Sequence, residues 1–240
     1  MMDNKDYIAW RDDRIAQLMT QKSYSFDDLC DVVVILRGEG GCPWDREQDH
    51  HSIRKGMIEE CYEVVEAIDR DDPVLLREEL GDVLLQVVFH ADMEKDAGHF
   101  DIDDVANDEC MKMIHRHPHV FGTVQAATSE EVLKNWETIK TEEKQRLTLS
   151  EQLQAIPPML PALMRAQKIG KKAGIDADCT PHDLMLDLAR RLTELAHKED
   201  VTQEQMGDIL LHITALCRLI GMEAEEALTV SIEKIIAEIS

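Results

Sequence analysis

Apolar side chains recur every three or four positions along most of the chain, which is the spacing of one face of an α-helix. The sequence lacks the two-residue alternation of strands and the turn residues of hairpins. We therefore predict an all-α protein with helices over residues 4–20, 26–37, 52–70, 73–95, 101–116, 129–147, 159–173, 180–198, 202–220 and 222–239. Residue types that stabilise helix ends occur at Ser52, Asp72-Pro73, Gly98, Thr180-Pro181 and Gly221.

A proline-rich stretch at residues 156–161 holds three of the seven prolines and interrupts the helical pattern. It predicts two domains, residues 1–150 and 151–240. The two domains share a motif, because Glu79-Leu-Gly-Asp82 in the first resembles Gln205-Met-Gly-Asp208 in the second, and apolar residues follow both. This similarity indicates an internal duplication. We expect two tandem helical units of the four-helix-bundle type.

Composition and charge restrict the partners. Asp and Glu number 49 against 26 Lys and Arg, which gives a formal net charge of −23. Such a surface repels phosphate backbones and anionic lipids, so we expect neither a nucleic-acid polymer nor a membrane as partner. The charged N-terminus lacks the apolar segment of a signal peptide, and no run approaches the ~20 apolar residues of a membrane span. The six cysteines are scattered, which suits a reducing compartment, so we expect a cytoplasmic protein.

The densest group of carboxylates lies in residues 58–68. Helical spacing places Glu59, Glu60, Glu63 and Glu66 within about a third of the helix circumference. Like charges at these spacings repel one another. Another face of the same helix is an apolar stripe that consists of Ile58, Cys61, Tyr62, Val65 and Ile68. Taken alone, this segment is more typical of a solvated acidic face than of a binding site.

The next helix favours a metal site. Glu79 and Asp82 share one edge with Gln86, and the surroundings of Asp82 are apolar nearly all round. We expect such a helix to be buried, where an ionised carboxylate must be paired or bound to a cation. No Lys or Arg occurs between Glu78 and Asp92. Two adjacent antiparallel helices could therefore bring four carboxylates to one point, namely Glu60, Glu63, Glu79 and Asp82. A cluster of oxygens alone suits Mg²⁺ or Mn²⁺ better than zinc.

At these residues the sequence resembles the MazG family of all-α nucleoside triphosphate pyrophosphohydrolases. The family's E-E-x-x-E motif, followed by E-x-x-D on a second helix, is matched by Glu59, Glu60, Glu63, Glu79 and Asp82. Further matches run in order over most of residues 30–170, and they are Gly41-Cys42-Pro43-Trp44-Asp45 with Gln48, Arg116-His117-Pro118-His119-Val120-Phe121, Trp136-Glu137-x-x-Lys140 and Leu160-Pro161-Ala162-Leu163-Met164-Arg165-Ala166-Gln167-Lys168.

The resemblance implies Mg²⁺-dependent hydrolysis of NTPs or dNTPs between the α and β phosphates, which yields the monophosphate and pyrophosphate. It implies metal ligands at Glu60, Glu63, Glu79 and Asp82, phosphate contacts at Lys112 and Arg116, and nucleotide contacts at Trp136 and Lys140. Glu59 would orient or deprotonate the attacking water, or serve as an outer-sphere ligand. The resemblance also implies a homodimer, and Mn²⁺ is a possible substitute for Mg²⁺.

Other interpretations stay open for several of these residues. Lys112 and Arg116 also suit an ordinary surface, and Trp136 also suits packing. The histidines favour structural roles over metal binding or catalysis, in a turn for His115, His117 and His119 and in caps or loops for His50 and His51.

The second copy departs from the pattern. Gln205 stands where the first copy has Glu79, and the preceding helix lacks E-E-x-x-E, so that Leu188 and Arg191 or their neighbours face the Glu60 and Glu63 positions. We predict that the first copy alone is catalytic and that the second is structural. Two other functions remain open. One is a relative with a narrow substrate, such as dUTP, dCTP or phosphoribosyl-ATP. The other is a non-catalytic acidic regulator that binds a basic partner.

Overall fold

The protein is almost entirely helical. The computed structural model describes residues 4–144 and 148–239, and it folds them into thirteen α-helices with no strand among them. The helices are α1 (Asn4–Leu18), α2 (Phe26–Arg37), α3 (Pro43–Glu47), α4 (His50–Asp69), α5 (Pro73–Ala97), α6 (Ile102–Arg116), α7 (Pro118–Phe121), α8 (Ser129–Lys144), α9 (Leu149–Gln154), α10 (Ala162–Ala173), α11 (Pro181–Ala196), α12 (Gln203–Leu219) and α13 (Ala224–Ile239). The all-α prediction is confirmed. The end of the helix predicted over residues 129–147 lies outside the described residues.

Every helix predicted from the periodicity is present, and the three that were not predicted are short. Helices α3, α7 and α9 span five, four and six residues. A segment of this length completes too few turns to show a helical period, so its apolar residues carry no usable pattern. Pro43 and Pro118 occupy the first turns of α3 and α7, where the missing N–H costs no hydrogen bond.

Local side-chain hydrogen bonds fix the start of α4. Asp49 Oδ1 accepts hydrogen bonds from the backbone N–H groups of His51 at 2.9 Å and Ser52 at 2.7 Å, so Asp49 is the N-cap. Ser52 Oγ accepts from the Asp49 N–H at 3.0 Å and completes a capping box. The prediction that Ser52 itself starts this helix is therefore wrong by one turn. The predicted caps at Asp72 and Thr180 are confirmed.

The chain forms two compact units, residues 1–126 and 127–240. In the first unit α4 packs along α5, and α5 also contacts α2 and α6. The buried core lies between α2, α4 and the second half of α5, and it consists of Val33, Ile53, Val88, Phe89 and Met93. The division into domains at residues 1–150 and 151–240 stays a prediction.

In the second unit α10 and α11 pack against α12, and α13 contacts both α10 and α12. Gln167 is buried and joins α10 to the start of α13, because its side chain donates to Met222 O at 2.9 Å and accepts from Ala224 N at 2.9 Å. Among the described residues, no helix combines the length and apolar character needed to cross a bilayer.

The expectation that α5 is buried all round is wrong for its first half. Leu80 is 51% exposed, and Leu84 is also exposed. The buried residues of the helix lie mainly further on, at Val88, Phe89, Ala91 and Met93. The apolar stripe of α4 is exposed as well, at Ile58, Cys61, Tyr62, Val65 and Ile68. The periodicity identified apolar faces correctly, but it cannot say whether the chain itself or another molecule covers them.

Candidate metal centre

Helices α4 and α5 bring the predicted carboxylates together. Only three residues, 70–72, connect the two helices, which therefore run antiparallel. This places Glu60 and Glu63 of α4 beside Asp82 and Glu79 of α5. Oxygens of Glu60, Glu79 and Asp82 all lie within 4.8 Å of one another. The charge of Glu63 acts on both Glu60 and Glu79 and contributes to the raised pKa of each. Three of the four predicted ligands, Glu60, Glu79 and Asp82, thus converge, and Glu63 lies near enough for its charge to act on two of them. Their binding of a metal stays a prediction.

The cluster is electrostatically unfavourable as it stands. Glu79 is buried, with 8% of its surface exposed, and burial followed by the charge of Glu63 raises its pKa above the ordinary value. Burial, followed by the charges of Asp82 and Glu63, raises the pKa of Glu60. None of the Lys and Arg ion pairs found among the described side chains involves a member of the cluster. A bound cation would remove this repulsion, because an opposite charge favours the ionised carboxylates.

The donor atoms fit a hard divalent cation. All four groups offer carboxylate oxygens, which Mg²⁺ and Mn²⁺ prefer, and neither Cys nor His belongs to the group of converging ligands. Glu59 is exposed beside the cluster, and its charge contributes to the raised pKa of Glu60. Its role in activating a water stays a prediction.

The predicted substrate contacts lie on two other helices. Lys112 and Arg116 are one turn apart on α6, and Lys112 forms an ion pair with Glu109. Trp136 and Lys140 are one turn apart on α8, which belongs to the second compact unit. Each pair thus shares a helix face, as the spacing indicated. Their contacts with a nucleotide stay predictions.

A hydrogen-bonded histidine group was not predicted from the sequence. The His50 and His90 rings stack, with Nδ1 atoms 2.7 Å apart, and Glu94 Oε1 lies 2.7 Å from His50 Nε2. Glu94 Oε2 lies 2.6 Å from His99 Nδ1. The group joins the first residue of α4 to the last turns of α5 and the residues after it. Nothing in the spacing of single histidines reveals such a contact, because it depends on how α4 and α5 pair.

Helices α11 and α12 carry the second copy of the motif, and Asp187 on α11 is ion-paired with two arginines of the same helix. Arg191 Nε donates to Asp187 Oδ2 at 2.5 Å, and Arg190 donates to Asp187 Oδ1 at 2.6 Å. These hydrogen bonds lower the pKa of Asp187 to about 2. Asp208, which matches Asp82 in the motif, is exposed. Among the described residues of this unit, no three metal-ligating side chains converge.

Comparison with known proteins agrees with this geometry. Residues 48–121 match the model of the MazG nucleotide pyrophosphohydrolase domain. The nucleoside triphosphate pyrophosphohydrolase/pyrophosphatase MazG of Thermotoga maritima is 38% identical over 223 residues, which are 91% of this chain and 85% of the relative. This chain belongs to the MazG family.

Two further relatives extend the MazG similarity. The nucleoside triphosphate pyrophosphohydrolase of Escherichia coli (strain K12) is 42% identical over 218 residues, which cover 87% of this chain and 83% of the relative. The uncharacterised protein YabN of Bacillus subtilis (strain 168) is 41% identical over 220 residues, which cover 88% of this chain but 45% of YabN. The matched MazG domain contains all of α4, α5 and α6, and hence the whole carboxylate cluster.

Proposed function

We propose that this chain hydrolyses nucleoside triphosphates to monophosphates and pyrophosphate, and that Glu60, Glu63, Glu79 and Asp82 hold the Mg²⁺ that the reaction needs. The observation that supports this most directly is the convergence of three carboxylates within 4.8 Å on the α4–α5 helix pair. Membership of a family of nucleotide pyrophosphohydrolases supports the reaction class.

The chemistry follows from the charges involved. A triphosphate carries several negative charges, and four carboxylates alone would repel it. A bound Mg²⁺ supplies charge neutralisation on the phosphate oxygens and lowers the pKa of a coordinated water. In this proposal Glu59 stays off the metal and orients or deprotonates the attacking water. Lys112 and Arg116 hold the phosphate oxygens, and they stabilise the charge that grows on the leaving pyrophosphate.

The remaining contacts would be made by α8. Trp136 offers a large flat surface that suits stacking on a nucleobase, and Lys140 lies one turn further along the same helix. Base stacking discriminates poorly between nucleotides, because every base has a π-face. We therefore expect a broad substrate range of NTPs and dNTPs rather than one preferred base.

We also propose that the chain acts as a homodimer through the exposed apolar stripe of α4. Tyr62 is 57% exposed and Val65 is 50% exposed on the same helix that carries the metal ligands. Contiguous exposed apolar surface of this kind usually marks an interface. Analytical ultracentrifugation should give a dimer for the wild type and a monomer for Val65→Asp. A monomeric wild type would contradict this part of the proposal.

A cytoplasmic location is consistent with six unpaired cysteines.

The decisive experiment is a product assay. The purified protein is incubated with Mg²⁺ and a panel of NTPs and dNTPs, and monophosphate plus pyrophosphate is scored against diphosphate plus phosphate. We expect the first pair of products, and we expect loss of activity in Glu63→Ala but not in Asp208→Ala. Hydrolysis of a single nucleotide would indicate a narrow-substrate relative. Absence of any hydrolysis, with no rise in Tm on adding Mg²⁺ and nucleotide, would indicate a non-catalytic protein.

A further inference from the structure

Gln86 lies one helical turn beyond Asp82 on α5 and belongs to the same edge of the helix. Side chains on an α-helix lean toward its N-terminus, which directs the Gln86 side chain toward the turn that contains Asp82. Gly56 stands opposite on α4, one turn before Glu60. Gly56 and Gln86 therefore face each other across the contact between α4 and α5. They lie between the carboxylates and the buried core residues Ile53 and Phe89.

Two observations set Gln86 apart from an ordinary packing residue. Its Oε1 atom is buried and has no hydrogen-bond partner among the described residues. Its Nε2 atom lies 2.9 Å from the place that a Cβ on residue 56 would occupy, so the glycine at this position lets the amide approach α4 closely. An unsatisfied buried acceptor costs free energy, and native proteins rarely keep one without a use.

We propose that Gln86 is a positioning residue for the metal centre, and that its Oε1 accepts a hydrogen bond from a water coordinated to the cation held by Glu60 and Asp82. The inference rests on the proposed metal-dependent function. Mg²⁺ in protein sites usually keeps several waters, and these need acceptors around the ligands. The terminal torsion of glutamine is soft, so the amide can turn its oxygen toward the layer above when the site fills.

The second copy of the motif supports this assignment. Aligning the two copies on Gly-Asp places His212 where the first copy has Gln86. His212 Nδ1 lies 2.6 Å from the Asp208 carbonyl oxygen, so this side chain is satisfied by its own helix. The copy that lacks the converging carboxylates therefore also lacks the unsatisfied amide, as expected if the amide serves the cation.

The test measures Mn²⁺ binding to the full chain by the electron paramagnetic resonance signal of free Mn²⁺, together with the Tm of the metal-free protein. Gln86→Leu keeps the size of the side chain and removes the acceptor. We expect its Kd for Mn²⁺ to rise by about 10–100-fold, the usual loss for an outer-sphere partner. The metal-free Tm should stay equal or rise, because the variant removes an unsatisfied buried polar group.

Gln86→Glu is the matched control, because it keeps an acceptor oxygen at the same reach. It should bind Mn²⁺ at least as tightly as the wild type, although the added charge should lower its metal-free Tm. Wild-type affinity in Gln86→Leu would overturn the proposal. Equally weak binding in both variants, with a lowered Tm in both, would assign Gln86 a purely structural role and would also overturn it. A wild type that binds no Mn²⁺ would instead overturn the proposed function itself.

Discussion

The helix pairs α4–α5 and α11–α12 carry the same Gly-Asp motif but arrange their charges in opposite ways. In α4–α5 three carboxylates converge beside Glu63, and burial followed by mutual repulsion raises the pKa values of Glu60 and Glu79. In α11–α12 Asp187 is held by Arg191 and Arg190, and its pKa is lowered to about 2. The first pair thus concentrates acids that repel one another, whereas in the second pair Asp187 is matched by arginines of its own helix.

The difference shows which charges distinguish the proposed metal centre from the second helix pair. The scaffold itself is common to both pairs, because each has an apolar seam and the repeated motif. What differs is whether the residues on the facing edges are acids alone or acids with arginines. An arginine beside the ligands would occupy the carboxylate oxygens with its rigid set of donors. For the proposed metal centre, the absence of cationic side chains at one edge therefore matters as much as the presence of acids.

The most severe test of the contrast exchanges one residue between the pairs. Glu79→Gln copies Gln205 into the first pair, and we expect the rate of NTP hydrolysis to fall by about 10³-fold or more, because a buried charged ligand is lost. Gln205→Ala is the matched change in the second pair and should leave the rate within about twofold of wild type. Steady-state release of pyrophosphate measures both. Comparable losses in the two variants would mean that both pairs take part in catalysis.

The same contrast shows which parts of this site could be predicted from the sequence. Helical spacing was sufficient to place Glu60 and Glu63 on one face and Glu79 and Asp82 on another, since these positions lie within single helices. The absence of Lys and Arg around Asp82 could be read directly, and it correctly indicated a carboxylate cluster. The hydrogen bonds of His50 and the unsatisfied oxygen of Gln86 could not be predicted, because both depend on the register in which α4 meets α5.

The sequence also could not show which apolar side chains are exposed on the folded chain. The apolar residues around Leu80 predicted a buried helix, but an apolar face looks the same in sequence whether it packs within the chain or against a partner. The short helices escaped prediction for a different reason, because four to six residues are too few to establish a period.

The second test concerns stability and should give an intermediate effect. Mg²⁺ or Mn²⁺ at about 100 times its Kd should stabilise the wild type by about 2.7 kcal/mol, since it binds the folded state alone. Glu79→Gln should abolish this rise in Tm, and it should also stabilise the metal-free protein because it removes a carboxylate from a repulsive cluster. Differential scanning fluorimetry with and without metal measures both effects.

A variant of the second pair provides the control for that test. Gln205→Glu restores the acid of the motif without restoring the carboxylates of the preceding helix, where Asp187 stays paired with Arg190 and Arg191. We expect it to show the same metal-induced rise in Tm as the wild type, with no added binding site. A second Mn²⁺ bound by this variant would mean that a single acid decides the contrast.

The smallest expected effect is a pH dependence of Tm, which we attribute to the first helix pair. Burial, and then the nearby charge of His50, lowers the pKa of His90 below its ordinary value. A histidine whose pKa is lowered in the folded state binds fewer protons there than in the unfolded state. Its contribution to the free energy of unfolding is therefore complete above the unfolded-state pKa of about 6.5 and decreases as the pH drops below that value. The stacked rings can share one proton between their Nδ1 atoms, but two protons would face each other across 2.7 Å. We expect Tm to fall by a few degrees between pH 7.5 and 5.5.

The second pair again supplies the comparison, because aligning the motifs places Leu216 where the first pair has His90. His90→Leu removes the titrating ring, and the drop in Tm over this pH range should become smaller, whatever the variant does to stability at neutral pH. His197→Leu, which changes a histidine that follows α11, should keep the wild-type drop. If His90→Leu retained the full pH dependence and His197→Leu lost it, the titrating group would belong to the second unit. The acid sensitivity would then have to be explained from α11–α12 instead of from the histidine contact that joins α4 to α5.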